Sequence, residues 1–457
     1  MKTRIEKDSV GELAVPEEAY YGVQSKRGCD NFQISGHRMH ASFIKNITLI
    51  KKAAAKTNGK YGYISKDIEK AICTACDEIL EGKFDDQFIT DAIQGGAGTS
   101  VNMNVNEVIA NRATELLGGK KGEYLCHPND HVNMAQSTND VIPTAGKLTT
   151  LDLAATLLEN MERLILALTA KAVEFDDVVK MGRTQLQDAV PVRLGQEFQA
   201  YANALKRDHA RIKNVLSEMQ VVNLGGTAIG TALNAKKEYL NEVVPALSKE
   251  CGYSLQQAAD LIDGTQNLDG FVSVSATLKT CAVNLSKMSN DLRLMASGPK
   301  TGLAEITLPA KQNGSSIMPG KINPVIPEVV SQVAFLVIGN DVTVSMAAEG
   351  GQLELNAFEP VIFYKLFESL TCLANAVKTL TVNCVEGIVA NRERCEELLH
   401  SSVGVVTALC PYIGYKQAAA IAKEALKTGK KVKELVLSYG LMDEATLEKV
   451  LNPYEMT

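Results

Sequence analysis

The sequence predicts an all-α protein whose centre is a bundle of long helices. Prolines are widely spaced in the middle of the chain, where Pro143, Pro191, Pro245 and Pro299 follow one another. Because proline interrupts a helix, each interval has room for a helix of about 30 residues or more. Aromatic residues make up only 5% of the chain and tryptophan is absent, so the core must be aliphatic. Long aliphatic helices are typical of a lengthwise-packed bundle.

Apolar residues recur at spacings of three and four in these intervals, which is the period of a helix face. Three such stripes are Leu148, Leu151, Ala155, Leu158, Met161, Ile165, Leu168 and Ala172; Leu278, Cys281, Leu285, Met288, Leu292 and Met295; and Val329, Val333, Phe335, Leu336, Ile338 and Val342. Helices of this kind often carry apolar residues on a second face. We expect that face to be buried against other subunits, which predicts a homo-oligomer.

The 457 residues are enough for several domains. Turn-rich pieces between shorter helices precede the first long helix, and short helices punctuated by glycine and proline end the chain. We therefore predict an N-terminal helical domain over residues 1–139, a central long-helix bundle over 140–390 and a small C-terminal helical domain over 391–457.

Composition excludes several classes of function. Lysine and arginine total 47 against 53 acidic residues, a net charge of −6, which offers no attractive field to nucleic acid. The first residues carry charges throughout and lack the apolar core of a signal peptide, and no window reaches about 18 uninterrupted apolar residues. We expect a cytoplasmic protein with reduced cysteines and with neither a nucleic-acid nor a membrane partner.

One segment cannot form regular structure. Residues 314–327 read GSSIMPGKINPVIP, and their prolines and glycines prevent a continuous helix. We predict a mobile catalytic loop near 310–327, here called the lid loop, that closes hydroxyls and a positive charge onto a small anion. Its polar residues are Ser315, Ser316, Lys321 and Asn323. A plain surface turn is the alternative interpretation.

Three further segments set small hydroxyl and amide side chains in turn-prone surroundings. They are GGAGTSVNMNVN at 95–106, with Thr99; NMAQSTND at 133–140, with Ser137, Thr138 and Asn139; and GRTQLQD at 182–188, with Thr184 and Gln185. Serine, threonine, asparagine and aspartate in front of a helix are also common N-caps, which is the structural alternative for 137–140.

Other kinds of site lack their signatures. The glycine cluster is not followed by the lysine and hydroxyl of a phosphate-binding loop, and no GxSxG nucleophile motif is present. His127 and His131 are four residues apart, but Pro128 lies between them and a third zinc ligand is not evident. No organic cofactor and no metal site are predicted, and the sequence does not indicate whether Mg²⁺ activates the protein.

The four polar segments together suit carbanion chemistry. Neutral hydrogen-bond donors and one lysine can bind carboxylates and stabilise a developing oxyanion, each donor contributing about 3–4 kcal/mol to the transition state. A proton next to a carboxylate is removed only if such donors stabilise the resulting enediolate. A serine or threonine alkoxide, the lysine and a histidine all remain candidates for the base.

These motifs resemble those of the aspartase/fumarase superfamily, whose members cleave C–N or C–O bonds by β-elimination and in most cases release fumarate. The segments that carry the resemblance are GSSIMPGKINP, GAGTSVNMNVNEVIANR, NMAQSTNDVIPTA, GRTQLQDAVPVRLGQEF, GGQLELNAFEPVI and the N-terminal RIEKDSVGELAVPEEAYYGVQSKR. The resemblance implies three mainly helical domains, with the long helices of four subunits forming a twenty-helix core. It also implies active sites shared by three subunits of a homotetramer.

The resemblance also implies residue roles. Ser315 would be the general base that removes a proton from C3, Ser316 would help to stabilise the aci-carboxylate, and Lys321 and Asn323 would hold a substrate carboxylate. The remaining wall, which would bind the β-carboxylate or receive the amine, would be Thr99, Ser137, Thr138, Asn139 and Thr184.

Gln185 separates two branches of the superfamily. Fumarases typically carry a histidine at this position, paired with a glutamate that corresponds to Glu328, whereas an amide cannot exchange a proton near neutral pH. An ammonium departs as neutral ammonia without an acid, so the amide favours the reversible conversion of L-aspartate into fumarate and ammonia. Class II fumarase and a catalytically silent structural relative are the alternatives.

Overall fold

The computed structural model describes residues 2–314, 316–452 and 454–457. Its longer α-helices and short helical turns, in chain order, are α1 (Val23–Asn31), α2 (Ala41–Lys60), α3 (Lys66–Leu80), α4 (Thr99–Leu116), α5 (Thr138–Glu174), α6 (Leu194–Val215), α7 (Lys237–Cys251), α8 (Asp263–Gln266), α9 (Asp269–Met295), α10 (Val325–Glu349), α11 (Glu359–Asn383), α12 (Arg392–Ser401), α13 (Cys410–Ile413), α14 (Tyr415–Thr428), α15 (Val432–Ser438) and α16 (Glu444–Val450). The predicted mainly helical fold is thus confirmed.

Short strands accompany the helices. They are β1 (Thr3–Lys7), β2 (Glu12–Pro16), β3 (Val179–Thr184), β4 (Gln187–Arg193), β5 (Val221–Val222), β6 (Gln256–Gln257), β7 (Ile306–Thr307) and β8 (Val389–Ala390). They pair in sequence as β1–β2, β3–β4, β5–β6 and β7–β8, and only the β5–β6 pair is parallel among the described strands. The β3–β4 hairpin positions predicted site residues at its tip.

The chain divides into two compact units. The first comprises Met1–Leu158, Arg211–Thr280 and Phe335–Cys372, and the second comprises Glu159–Ala210, Cys281–Ala334 and Leu373–Thr457. The division into domains at 1–139, 140–390 and 391–457 stays a prediction.

An aromatic cluster forms part of the core of the first unit. The ring of Phe363 lies 5.4 Å from that of Phe43 and 5.1 Å from that of Phe271, measured between centroids. Gly146 on α5 lies against the same ring, and a Cβ atom there would come within 2.4 Å of it. The glycine therefore lets α5 approach α11 closely.

The second unit includes a separate small core near its C-terminal end. Its fully buried members are Leu409, Ile421, Ala425, Val432, Leu435, Val436 and Leu447. They lie on or next to the short helices α13 to α16, so the predicted short helices after residue 391 are confirmed.

The stripe predicted on α9 is buried throughout, but the other two are partly wrong. On α5 the buried residues include Ala154, Leu157 and Leu164, whereas Ala155 is exposed. On α10 the predicted stripe selects the outer face, where Phe335 is 64% exposed. The reason is that these helices are apolar on two faces, and periodicity alone does not say which face meets the chain's own core.

Helix α10 is long and apolar enough, by length and composition, to cross a membrane. Its middle nevertheless carries two buried polar residues with protein partners in the first unit. Asp341 accepts hydrogen bonds from Ser275 (2.8 Å) and Lys279, and Asn340 donates to Ser369 (3.1 Å). These contacts are those of a bundle helix packed against protein.

Candidate active site

The predicted site residues fall into both units. Thr99 and Ser137–Asn139, here called the hydroxyl wall, belong to the first unit, whereas the β3–β4 hairpin and the lid loop belong to the second. Ser315, the predicted general base, lies outside the described residues. The two groups are therefore described separately.

The hydroxyl wall is built on two helix starts. Helix α4 begins at Thr99 and α5 begins at Thr138. The two ends are linked because the side-chain amide of Asn102 donates to the Oγ1 atom of Thr138 at 3.2 Å. The first N–H groups of a helix have no partner within the helix, and the helix dipole is positive there. Two neighbouring helix N-termini lined by hydroxyls suit a carboxylate ligand.

The segment 137–140 forms a reciprocal cap. The N–H of Asn139 donates to Ser137 Oγ at 3.2 Å, and the N–H of Ser137 donates to an Asp140 oxygen at 2.8 Å. The other Asp140 oxygen accepts from the N–H groups of Gly225 and Thr227, both at 3.0 Å. Burial raises the pKa of Asp140 to about 6, and these backbone donors act in the opposite direction. The N-cap interpretation of this segment is therefore confirmed. These hydrogen bonds hold the backbone of the hydroxyl wall in place.

Asn139 holds the wall against a neighbouring loop. Its side-chain nitrogen donates to the carbonyl of Ala228 at 2.7 Å, and its own carbonyl accepts from Asn223 at 3.0 Å. Asn223 is buried and also donates to Thr265 Oγ1 at 3.0 Å. The backbone of the wall is thus tied down on the side of the 223–228 loop.

Thr99 is exposed at the start of α4. The preceding residues Ala97 (φ 55°) and Gly98 (φ 87°) are left-handed, so the chain turns sharply into the helix. The Thr99 hydroxyl donates to the carbonyl of Gly96 at 2.7 Å. A bound carboxylate would have to compete for that proton.

The 182–188 segment is a tight β-hairpin, where the sequence predicted only a turn-prone cluster. Thr184 pairs with Gln187, and the two residues between them, Gln185 and Leu186, have φ angles of 54° and 64°. Two left-handed residues at a two-residue turn match the right-handed twist of a hairpin, but glycine or asparagine normally occupies them. The strained tip presents Thr184 and Gln185 as exposed side chains.

Buried charges anchor this hairpin to the start of the lid loop. Glu305, which is fully buried, lies 2.8 Å from Arg183 and 3.0 Å from Lys180, both on β3. Lys180 also donates to Glu197 at 3.1 Å. Glu305 immediately precedes β7, so one carboxylate holds the hairpin and the segment that leads into the lid loop. Removing one partner of such a buried pair costs about 3–5 kcal/mol.

The lid loop lies between β7 and α10. It was predicted to extend to residue 327, but residues 325–327 belong to α10, because proline is tolerated in the first turn of a helix. The N–H of Gly314 donates to the carbonyl of Lys321 at 2.9 Å, and the side chain of Asn323 donates to the carbonyl of Gly314 at 2.8 Å. Ser316 and Lys321 are exposed. In this structure, therefore, the Asn323 amide nitrogen closes the base of the loop, while its role in binding substrate stays a prediction.

The HPNDHVN segment borders a cavity of about 460 Å³ in the first unit, and Thr99, Tyr124, His127 and Asn129 contribute to the lining. His131 Nδ1 accepts from the N–H of His127 at 2.8 Å, so one histidine ring is bonded to the backbone of the other. No group of histidine, cysteine, aspartate and glutamate arranged to hold a metal ion occurs among the described residues.

Two buried ionisable residues next to the site were not singled out as candidates from the sequence. Lys51 lies behind the hydroxyl wall, and Glu305 joins the hairpin to the lid loop. A signal for Lys51 did exist, because it follows Phe43 and Ile47 at helical spacing on the apolar face of α2. Glu305 carries no comparable signal, since its partners are more than 100 residues away.

Family models match most of the chain. A model described as "Lyase" covers residues 11–339, and one described as "Fumarase C C-terminus" covers residues 405–457. The chain therefore belongs to the aspartase/fumarase superfamily of lyases.

Curated relatives make the resemblance more specific. The chain is 52% identical over 455 residues to an aspartate ammonia-lyase from Bacillus sp., with 99% of this chain and 97% of the relative covered. It is 53% identical over 458 residues to an aspartate ammonia-lyase from Pseudomonas aeruginosa, with the same coverage of both chains.

Solved structures agree on the fold. A crystal structure titled fumarate lyase:delta crystallin from Brucella melitensis, bound to cobalt, superposes with a TM-score of 0.96 at 49% identity. A class II fumarase from Schistosoma mansoni gives the same TM-score at 36% identity. Each comparison covers 100% of this chain and 99% of the other.

Proposed function

We propose that the protein is an aspartate ammonia-lyase, which converts L-aspartate reversibly into fumarate and ammonia. The observation that carries this proposal is sequence identity: the chain is 52–53% identical, over 99% of its length, to aspartate ammonia-lyases from several bacteria. The class of enzyme is a carbon–nitrogen lyase, and the reaction is an anti β-elimination through an aci-carboxylate intermediate.

The residues divide the chemistry between them. Ser315 removes the C3 proton, Ser316 helps to stabilise the aci-carboxylate that forms from the β-carboxylate, and Lys321 and Asn323 bind the other substrate carboxylate. The hydroxyl wall and Thr184 bind the β-carboxylate and receive the amine. The two helix N-termini at Thr99 and Thr138 support this assignment, because both direct partial positive charge toward a bound carboxylate.

The position of Gln185 supports an ammonia-lyase over a hydratase. Its side chain is exposed at the hairpin tip and offers an amide that neither gives nor takes a proton near neutral pH. Glu328, which corresponds to the acidic partner of the fumarase histidine, lies 3.8 Å from Arg293 instead. Hydroxide needs an acid to leave, whereas an ammonium leaves as ammonia. An amide at position 185, with Glu328 beside Arg293, therefore suits the loss of an amine.

The active form is proposed to be a cytoplasmic homotetramer in which three subunits share each active site. The outer face of α10 supports an oligomer, because Phe335, Val342 and Met346 are 64%, 56% and 69% exposed on one side of the helix. Leu166 and Val173 on α5 are similarly exposed, at 69% and 75%. Apolar faces of this size on long helices are typical of subunit interfaces.

The test is to follow fumarate formation in the ultraviolet while the purified protein is supplied with L-aspartate or with L-malate. We expect fumarate and ammonia to appear together from L-aspartate and no comparable rate from L-malate. A rate with L-malate alone would show a fumarase, and no rate with either substrate would show a silent structural relative. Adding and chelating Mg²⁺ in the same assay decides whether the ion activates.

A further inference from the structure

A buried lysine lies behind the hydroxyl wall. Lys51 on α2 has no exposed surface, and its ammonium donates to Asn133 Oδ1 at 2.7 Å and to Gln136 Oε1 at 3.0 Å. A buried charge normally has a carboxylate in contact. Among the described residues, no carboxylate lies within ion-pair distance of Lys51, and its direct partners are neutral amides.

Three donors converge on one oxygen. Besides Lys51, the side-chain nitrogens of Asn102 (3.3 Å) and Asn106 (3.1 Å) donate to Asn133 Oδ1. This arrangement fixes which way the Asn133 amide points, because its oxygen must face the donors. The Asn133 nitrogen in turn donates to the carbonyl of Gln136 at 3.2 Å, within the turn that leads into the wall.

The same network reaches Thr138. The amide nitrogen of Asn102 carries two hydrogens, and it donates both to Asn133 Oδ1 and to Thr138 Oγ1 (3.2 Å). Thr138 Oγ1 is thus an acceptor on its inner side, which leaves its own hydroxyl proton for a ligand on the outer side. A chain of hydrogen bonds therefore connects the lysine to the orientation of a predicted substrate-binding hydroxyl.

The surroundings of Lys51 shift its pKa in opposite directions. Burial lowers the pKa of Lys51 to about 7, opposed by the negative charge of Asp140 on α5 and, more weakly, by Cys76 on α3. Helix α4 and the 133–136 turn contribute the amides already named. Lys51 therefore changes charge near neutral pH. Two amide side chains, those of Asn133 and Asn102, connect it to Thr138 in the hydroxyl wall.

We propose that Lys51 is a positioning residue for substrate binding. Through Asn133 and Asn102 it directs the hydroxyl proton of Thr138 toward a substrate carboxylate, and its positive charge strengthens the binding of the dicarboxylate. Binding of L-aspartate is then tighter below neutral pH, where Lys51 is charged, than above it. This inference rests on the proposed function, since Thr138 must face the substrate.

The main test compares Lys51→Met with Lys52→Met, measuring kcat and KM for L-aspartate between pH 6 and pH 9. Lys52 is the next residue on α2 and pairs with Asp77 (2.6 Å) and Glu250 (3.2 Å), so it is a matched lysine outside the network. We expect Lys51→Met to raise KM by about tenfold, the effect of losing one charged hydrogen bond, with a much smaller change in kcat. It should also remove an inflection of KM near pH 7 that the wild type and Lys52→Met retain.

Asn102→Ala keeps the inference testable if Lys51→Met does not fold. It removes the link to Thr138 while Lys51 keeps its bonds to Asn133 and Gln136. We expect KM to rise by a similar factor while the inflection near pH 7 persists. Folded variants of both kinds with an unchanged KM, or a Lys51→Met protein altered only in its melting temperature, would overturn the inference. A wild type that releases no fumarate would instead overturn the proposed function.

Discussion

The hydroxyl wall and the lid loop carry similar side chains in opposite surroundings. Ser137, Thr138 and Asn139 are half-buried, and a buried carboxylate, Asp140, holds their backbone from behind. The described part of the lid loop from 316 to 322 is exposed, and two hydrogen bonds join Gly314 to Lys321 and Asn323 at its base.

This difference indicates separate roles for the two segments, binding for the wall and catalysis for the lid loop. Ser137, Thr138 and Asn139 have a backbone that is already fixed by hydrogen bonds and needs little reorganisation when substrate arrives, so this part of the wall is suited to binding and orientation. An exposed loop with glycine and proline at its ends is suited to closing over the ligand and completing the catalytic groups. Changes in the wall should therefore act mainly on KM, and changes in the lid loop mainly on kcat.

The largest effect is expected from Ser315→Ala on the lid loop. Removal of a general base lowers turnover by about 10²–10⁴-fold, so we expect a kcat loss within or above that range. Size-exclusion chromatography should give the same oligomer as for the wild type. Unchanged turnover would remove Ser315 from the mechanism.

The corresponding change in the wall is Thr138→Val, which has nearly the same shape but no hydroxyl. It deprives a substrate carboxylate of a donor and removes one of the two acceptors of the buried Asn102 amide, so we expect KM to rise by about tenfold or more. Steady-state kinetics with L-aspartate measures the change. An unaltered KM together with a large fall in kcat would contradict these separate roles.

A smaller effect on turnover is expected at the base of the lid loop. A Cβ atom at position 314 would lie 2.2 Å from the carbonyl oxygen of Lys321, so Gly314→Ala cannot keep the contact that closes the loop. We expect kcat to fall by about tenfold with little change in stability. Gly320→Ala is the comparison within the same loop: a Cβ atom there would meet nothing within 4 Å, so its only strain is that of a left-handed backbone (φ 80°). Equal kcat values for the two variants would show that closing the base is unimportant.

A separate effect concerns stability and its dependence on pH. The pKa of Lys51 is about 7 in the folded protein against 10.5 in an unfolded chain, so the unfolded state binds more protons between these values. The Lys51 contribution therefore makes the protein more stable as pH rises from 7 toward 10.5. The urea midpoint of the wild type should increase over this window relative to that of Lys51→Met. A parallel pH dependence in both proteins would show that Lys51 is not the group responsible.

The sequence predicted the helical class and the lid loop well, because both follow from local rules. Widely spaced prolines and apolar spacing indicate long helices, but Pro143 and Pro245 lie inside α5 and α7, and among the described helices only α5 exceeds 30 residues. The glycines and prolines of 314–324 prevent a helix, whereas residues 325–327 already belong to α10. It did not predict the hairpin at Thr184, since Gln185 and Leu186 are not residues that normally take left-handed turn positions.

The contacts behind the site could not be predicted for a different reason. Lys51 reaches Asn133 across 82 positions and Arg183 reaches Glu305 across 122 positions, and neither pairing follows from local spacing. The choice between two apolar faces on α10 is also set by tertiary packing. Local patterns thus supplied the candidate residues for the chemistry, but not the residues that support them.

The central claim is that the hydroxyl wall of one chain and the lid loop of another complete the same active site. The most direct measurement is to mix Ser315→Ala and Thr138→Val subunits, dissociate and reassociate them, and assay fumarate formation at L-aspartate concentrations far below the wild-type KM, where Thr138→Val is slow because its KM is raised. The account predicts turnover well above that of either variant alone, because hybrid oligomers contain sites with both segments intact. Turnover no greater than the average of the two variants, in oligomers shown to be mixed, would contradict it.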